Sequence, residues 1–110
     1  MIHIEHLFNF TDIKNSCIEC FVKIKEIVKN HRYYIGISSN PIERLKAHID
    51  EKRMTKMYLL CKVPTKPLTK EIETNLITMC TCTAGTKCIN EGDGGEGVTN
   101  GENYVYVLVK

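Results

Sequence analysis

The sequence lacks an apolar run approaching the roughly 20 residues that a helix needs to cross a bilayer. Its first residues also lack the basic segment and the following apolar stretch that characterise a secretory signal. We therefore expect an intracellular protein of the cytoplasm or nucleus, not a secreted one, and no membrane partner. Apart from a group of glycines, neither an internal repeat nor a low-complexity tract divides the 110 residues. This uniformity predicts one domain over residues 1–110, with a core of modest size.

Spacings typical of zinc fingers and of helix-turn-helix motifs are also missing, so no separate DNA-reading domain is expected. The six cysteines are expected to be reduced thiols inside a cell; they are Cys17, Cys20, Cys61, Cys80, Cys82 and Cys88. Four of them could in principle bind zinc as thiolates. However, Cys17 and Cys20 coincide with an apolar helical stripe, where cysteine behaves as a small hydrophobe. The sequence therefore favours no structural zinc.

Charge is distributed unevenly behind the net value of +2. Residues 21–70 contain twelve Lys and Arg against four Asp and Glu. Such a block predicts a surface that binds polyanions, although a solvated surface is the simpler alternative. Residues 84–103, in contrast, form a glycine-rich acidic loop. In a DNA-binding protein this loop would point away from phosphate or would control access to a cleft. As a calcium site it is weaker still, because its carboxylates lack the spacing of a known calcium loop.

Hydrophobic periodicity predicts an alternation of strands and helices. Strands are expected over residues 2–8, 32–38, 57–63 and 103–109, and helices over 11–30 and 41–53, with a third opened by Pro67. The helix at 11–30 has an apolar stripe at helical spacing, with a strand over 21–28 as the alternative. In the helix at 41–53 we expect Ile42, Leu45 and Ile49 to be buried. The fold class is therefore α+β, a small central antiparallel sheet flanked by helices.

One segment combines groups that suit phosphate chemistry. Tyr34-Ile35-Gly36 ends an aromatic strand, Asn40-Pro41 opens a helix, and Arg44 and His48 follow four residues apart. Residues at that spacing lie on the same helix face. The ordered set resembles the second half of the GIY-YIG nuclease motif. The resemblance continues with a strand and then a helix that carries a glutamate before Leu76-Ile77, and it covers residues 33–90.

The chemistry of individual side chains agrees with this resemblance. Glu73 has Leu76 and Ile77 at i+3 and i+4, so it borders the buried face, whereas Glu71 faces water. A carboxylate at such a border could hold Mg²⁺ or Mn²⁺. The planar guanidinium of Arg44 suits phosphate oxygens, and His48 could contact phosphate or assist proton transfer. The simpler alternatives are a surface glutamate, a surface ion pair and a packed histidine.

The resemblance implies further roles. The family's metal ligand is a glutamate placed as Glu73 is, and its tyrosines lie near the attacking water, a role we assign to Tyr34. An unperturbed phenol is a weak base at neutral pH, so Tyr34 would need a nearby positive charge. Asn90 occupies a place where the family often has a supporting asparagine. We assign Asn90 and Lys46 to substrate binding.

The first motif strand, with its own tyrosine, is missing ahead of residue 32. The C-terminal strand, Tyr104-Val105-Tyr106-Val107-Leu108, resembles it instead. We therefore predict a circular permutation in which this strand pairs antiparallel beside residues 33–37 and brings Tyr106 near Tyr34. The alternatives are a degenerate first strand at Phe21, which would supply no phenol, and a C-terminal strand that is only a sheet edge.

Together these features predict a metal-dependent endonuclease that hydrolyses DNA phosphodiester bonds. Its catalytic residues would be Tyr34, Arg44, His48, Glu73 and Tyr106, with Glu73 as the metal ligand. DNA is the expected partner, and sequence specificity would be low or would depend on a homodimer or a DNA-targeting partner. The alternatives are a catalytically inactive GIY-YIG-like module that binds nucleic acid or protein, and a purely protein-binding adaptor, which would show no salt-sensitive affinity for DNA.

Overall fold

A sheet of three long strands, edged by two very short ones, forms the centre of the fold. The computed structural model describes residues 2–52, 54, 56–82, 87–90 and 98–110, with the backbone alone at 49–52. Along the chain the elements are β1 (Ile2–His3), β2 (Phe8–Asn9), α1 (Ile13–Val28), β3 (Tyr33–Ser38), α2 (Pro41–Lys52), β4 (Lys56–Val63), α3 (Lys66–Thr81) and β5 (Asn103–Val109). The predicted α+β class is confirmed.

The C-terminal strand lies in the middle of the sheet. β5 pairs antiparallel with β3 on one side and with β4 on the other. The predicted antiparallel pairing of the C-terminal strand with residues 33–37 is therefore confirmed, and the alternative of a sheet edge is wrong. Gly36 is the cross-strand partner of Tyr106, and Tyr34 is the partner of Leu108. This register fixes which side chains of the two strands share a face.

The three long strands pair antiparallel as predicted, and the N-terminal segment adds parallel pairing that makes the whole sheet mixed. β1 and β2 both pair parallel with β4. The predicted single strand over residues 2–8 is wrong because the backbone turns between β1 and β2, where the amide of Leu7 donates to the carbonyl oxygen of Ile4 at 3.1 Å. Two strands of two residues each are too short to show a period, so the pattern could not reveal the break.

The two faces of the sheet are covered by different helices. Val105, Val107 and Val109 of β5 belong to a core cluster with buried residues of α1 and α3. Tyr106 and Leu108, which alternate with them, belong to a second cluster with Leu45 of α2. Hence α1 and α3 cover one face and α2 covers the other. This division places the β5 side chain of Tyr106 on the α2 side.

Helix α1 has the predicted apolar stripe, with Cys17, Cys20, Ile24 and Val28 buried. Asp12 caps it by accepting a hydrogen bond from the Asn15 amide at 2.9 Å. The alternatives of a strand over 21–28 and of a degenerate motif strand at Phe21 are wrong, because these residues continue the 3.6-residue period of the helix. The helix ends one residue before Lys29, which has a φ of 48°.

Helix α2 begins at Pro41 as predicted, and α3 begins at Lys66, one residue before the predicted start at Pro67. Thr65 caps α3 through the Leu68 amide, and Ile72 and Leu76 are fully buried on its inner face. In α2 the predicted burial of Leu45 is confirmed. Ile42 is 60% exposed, so its predicted burial is wrong. Burial in this helix starts only one turn later, at Leu45, and the side chain of Ile49 lies outside the described residues.

Residues 87–90 run along the outer edge of β3. The Ile89 amide donates to the Tyr33 carbonyl oxygen at 2.9 Å, and the Tyr33 amide donates to the Lys87 carbonyl oxygen at 3.1 Å. These bonds cover an edge that would otherwise expose unpaired backbone groups. Of the glycine-rich loop, residues 84–86 and 91–97 lie outside the described residues, and the segment considered as a calcium loop is among them. Among the helices that the structure describes, none has the length and apolar character to cross a membrane.

Candidate active site

The junction between β3 and α2 positions the first two candidate groups. The Ser38 hydroxyl accepts a hydrogen bond from the Asn40 amide at 2.9 Å, and Asn40 caps the helix through the Glu43 amide at 3.4 Å. The helix therefore leaves the strand after a two-residue turn. One helical turn apart, Arg44 Nη2 lies 3.5 Å from His48 Nε2. The predicted placement of Arg44 and His48 on one face is confirmed.

His48 joins helix α2 to the central strand. Its Nε2 lies 3.1 Å from the Tyr106 hydroxyl, and both side chains are only 1% exposed. The Tyr34 ring lies 5.1 Å from the His48 ring, measured between centroids. A guanidinium group only donates hydrogen bonds, so His48 Nε2, which faces Arg44, acts as a hydrogen-bond acceptor. The Tyr106 hydroxyl then donates its hydrogen bond to the same nitrogen. Tyr34, Arg44, His48 and Tyr106 thus form one cluster.

Gly36 provides the space that the Tyr106 ring occupies. The two residues are cross-strand partners, and a Cβ atom at position 36 would collide with the end of the Tyr106 ring. The glycine is needed for this close approach and not for an unusual backbone conformation. We predicted Gly36 as part of the motif without a reason for it. The sequence feature that could have revealed this role is a glycine placed opposite a tyrosine once β5 is paired with β3. Only glycine lets a large ring cross the neighbouring strand.

Glu73 reaches the same cluster from helix α3. Its side chain is 1% exposed, whereas Glu71 is exposed, so the predicted difference between the two carboxylates is confirmed. Glu73 lies close enough to the Tyr106 phenol to raise the pKa of Tyr106, and Arg44 lies close enough to lower it. The carboxylate and the guanidinium therefore act on the same hydroxyl group. Four elements, β3, α2, α3 and β5, contribute to this one location.

The balance of these influences keeps Tyr106 protonated. Burial is the largest, and it raises the pKa of Tyr106 to about 12. The hydrogen bond and positive charge of Arg44 oppose this shift, while Tyr34 and Glu73 add to it. Near neutral pH the group is therefore a neutral phenol that donates or accepts hydrogen bonds. Arg44 alone does not turn it into a base.

The two residues predicted to bind substrate lie in different settings. Asn90 uses both ends of its amide on β3: its Oδ1 accepts from the Ile35 amide at 2.8 Å, and its Nδ2 donates to the Ile35 carbonyl oxygen at 2.7 Å. This arrangement supports the strand between Tyr34 and Gly36, so Asn90 acts on the site through the backbone. Lys46 is exposed on α2, two residues after Arg44.

The basic block at residues 21–70 does not lie on a single face. Its α1 lysines are on one side of the sheet, where Lys23 pairs with Glu19 at 3.3 Å and lies over the Phe8 ring. Arg44 and Lys46 are on the other side with α2. The basic residues of the block therefore do not share one face, because consecutive elements pack on opposite faces of the sheet, and polyanion binding stays a prediction.

Asn103 is a buried polar residue that the sequence did not reveal. Its side chain accepts from the Thr99 amide at 2.9 Å and donates to the carbonyl oxygens of Thr99 and Gly101 at 2.8 and 3.0 Å. These bonds fold the segment before β5 and set where the strand begins. Asparagine is a common turn residue, but the sequence pattern identified Asn103 only as the first residue of the strand.

Comparisons of the chain with protein-family models, with curated proteins and with solved structures found no match.

Proposed function

We propose that the protein is a metal-dependent endonuclease that hydrolyses DNA phosphodiester bonds at the cluster of Tyr34, Arg44, His48, Glu73 and Tyr106. The observation that supports this proposal is the meeting of a carboxylate, a guanidinium, an imidazole and two phenols from four separate elements. The resemblance to the GIY-YIG motif, with its first strand moved to the C-terminus, assigns the same five residues. Products with a 5′ phosphate and a 3′ hydroxyl are expected from that resemblance.

The donor set at Glu73 fits a small hard cation. A carboxylate oxygen is a ligand that Mg²⁺ and Mn²⁺ prefer, and Mg²⁺ usually binds one or two carboxylates together with water and substrate phosphate. Within the described residues no three His, Cys, Asp or Glu side chains lie together as a metal site. Glu73 would therefore hold the ion with help from water and DNA. When bound, the ion would polarise the phosphate and favour ionisation of a water.

The chain's own residues would divide the remaining work. Arg44 would stabilise the negative charge that grows on the phosphate oxygens as water attacks phosphorus. Tyr106, which keeps its proton near neutral pH, and Tyr34 would orient that water. His48 touches Tyr106 and is the residue type that exchanges protons most readily near neutral pH. It would assist removal of the water proton while the bond from phosphorus to the 3′ oxygen breaks.

Plasmid and branched DNA incubated with the purified protein test this proposal. We expect nicking with Mg²⁺ or Mn²⁺, none with chelator, and a loss of at least about a hundredfold in Glu73→Gln. The matched control is Glu71→Gln, which changes an exposed carboxylate two residues away and is expected to keep full activity. Equal nicking by both variants would indicate a contaminating nuclease.

A DNA-binding module without catalysis is the second candidate. The near-complete burial of Glu73, His48 and Tyr106 favours this candidate. In it, the three buried side chains hold the helices and strands together and take no part in chemistry. This candidate predicts salt-sensitive DNA binding, no nicking with any divalent ion, and equal loss of stability and binding in Glu73→Gln. Absence of both nicking and salt-sensitive binding would contradict both candidates.

A further inference from the structure

Helix α1 has an outer stripe that no other part of the described chain covers. Lys14, Ile18, Val22 and Glu26 follow one another at four-residue spacing, and all four are exposed. Ile18 is 46% exposed and Val22 is 48% exposed, and because they lie one helical turn apart they form one apolar patch on the outer side of the helix. A basic residue therefore precedes the apolar pair and an acidic residue follows it.

This order is self-complementary for antiparallel helices. If a second α1 helix lies antiparallel with its Val22 opposite Ile18, then its Glu26 lies opposite Lys14. By symmetry the second copy's Lys14 lies opposite Glu26. Two apolar contacts and two opposite-charge contacts form at once, as a two-fold interface requires. A parallel arrangement would place Lys14 against Lys14 and Glu26 against Glu26.

A cavity beside the stripe would receive part of the second helix. It lies between α1 and α3, has a volume of about 280 Å³ and is lined by Ile13, Lys14, Cys17 and Ile18 together with Asn75, Thr78 and Met79. Its walls are therefore mainly apolar next to the exposed Ile18. A branched side chain of the second copy could enter it, which would bury apolar surface beyond the stripe itself.

From this pattern we infer that α1 is a homodimer interface, with a second copy of this chain packed antiparallel on the Lys14–Ile18–Val22–Glu26 stripe. The interface lies on the α1 and α3 face of the sheet, and α2 with Arg44 lies on the opposite face. A dimer would therefore leave the α2 side of both copies accessible. A single helix pair is small compared with the roughly 1,200 Å² of the smallest stable interfaces, so the association should be weak and concentration-dependent.

Sedimentation equilibrium over a wide concentration range tests the inference. The unaltered protein should pass from monomer to dimer as its concentration rises. Lys14→Glu and Glu26→Lys should each raise the dimer dissociation constant by about tenfold or more, which corresponds to roughly 1.4 kcal/mol. Lys70→Glu, a charge reversal at an exposed residue of α3 away from the stripe, is the matched control and should leave it unchanged.

Charge exchange makes the test specific for the antiparallel register. The double variant K14E/E26K restores opposite charges and should dimerise like the original chain. An equimolar mixture of the two single variants should also dimerise, because each supplies the charges that the other lacks, although neither pairs well with itself. A chain that stays monomeric at every concentration, or single variants whose mixture does not dimerise, would overturn the inference. Binding of a different protein to the stripe, with no self-association, would also overturn it.

Discussion

The Tyr106 ring lies across Gly36, its cross-strand partner, and from there its hydroxyl reaches Nε2 of His48 at 3.1 Å. Any side chain at position 36 would collide with the ring. We expect Gly36→Ala to lower the free energy of unfolding by about 1–3 kcal/mol, the usual result of overpacking a filled core. Urea unfolding measures the change.

Two further variants show whether the collision with the Tyr106 ring causes the loss of stability in Gly36→Ala. Gly101→Ala is the matched control, because a Cβ there would be 4.0 Å from Oγ1 of Thr99, its nearest neighbour in the described structure, and the substitution should change stability little. Combining Gly36→Ala with Tyr106→Val makes space for the added methyl group. If Tyr106→Val lowers the free energy of unfolding by the same amount in the Gly36→Ala variant as in the original protein, the Tyr106 ring is not what excludes a side chain at position 36.

Alkaline pH should destabilise the protein through Tyr106. The folded state raises the pKa of this phenol to about 12, against an ordinary value of 10. Above pH 10 the unfolded state therefore loses the proton first, so the free energy of unfolding falls as the pH rises towards 12, by up to about 1.4 kcal/mol per pH unit. Below pH 10 this contribution is fully present.

Unfolding curves at several pH values compare the protein with Tyr106→Phe. The variant should lose stability near neutral pH, by about 1 kcal/mol, because His48 loses its hydroxyl partner. It should also show a smaller decline between pH 10 and 12. Tyr104→Phe, at a half-buried residue of the same strand, is the control. Parallel declines in Tyr106→Phe and the original protein would contradict the assigned environment.

The sequence predicted local features better than distant contacts. The α1 stripe, the start of α2 at Asn40-Pro41 and the preference for Glu73 over Glu71 depend only on neighbours within about one helical turn, so the local sequence revealed them. The contact between Gly36 and Tyr106 joins residues that are far apart in the chain. The pairing of the C-terminal strand with residues 33–37 was predicted only because that strand resembled a missing motif strand, and the contact itself was not predicted.

The errors have equally physical causes. β1 and β2 are too short to show a period, so their parallel pairing with β4 was not visible. Ile42 is apolar and correctly spaced, but the pattern does not indicate where along α2 contact with the sheet begins. The basic block was taken as one surface because the residues are close in sequence, whereas the α1 and α2 portions pack on opposite faces of the sheet.

Asn90 should stabilise β3 and only indirectly affect catalysis. Replacing Asn90 with alanine removes both hydrogen bonds to the Ile35 backbone, so we expect a loss of about 1–3 kcal/mol in unfolding free energy. Hydrogen exchange at the Ile35 amide should become faster than in the original protein. Asn30→Ala, at an exposed residue after α1, is the control. An Ile35 amide whose protection is unchanged would contradict this role.

Lys29 ends α1 in a backbone conformation that favours glycine, with a φ of 48°. Lys29→Gly should stabilise the protein by about 1 kcal/mol, because glycine has no Cβ to clash in this region. Lys29→Ala is the matched control: it removes the same side chain and retains the clash. Thermal unfolding of the two variants measures the difference. Equal melting temperatures would mean that the conformation at residue 29 costs nothing.

Lys46 is expected to contribute to DNA affinity and not to chemistry, if the proposed nuclease function is correct. It is exposed on the same helix as Arg44, so it can meet a neighbouring phosphate without entering the cluster. Lys46→Gln should weaken DNA binding uniformly across sequences and reduce the slope of log affinity against log salt by about 1. The cleavage rate at saturating DNA should stay unchanged. Lys25→Gln makes the same change on α1, on the other face of the sheet, and should leave both affinity and salt slope unaltered. Equal effects of the two variants would show that DNA does not bind preferentially on the α2 side.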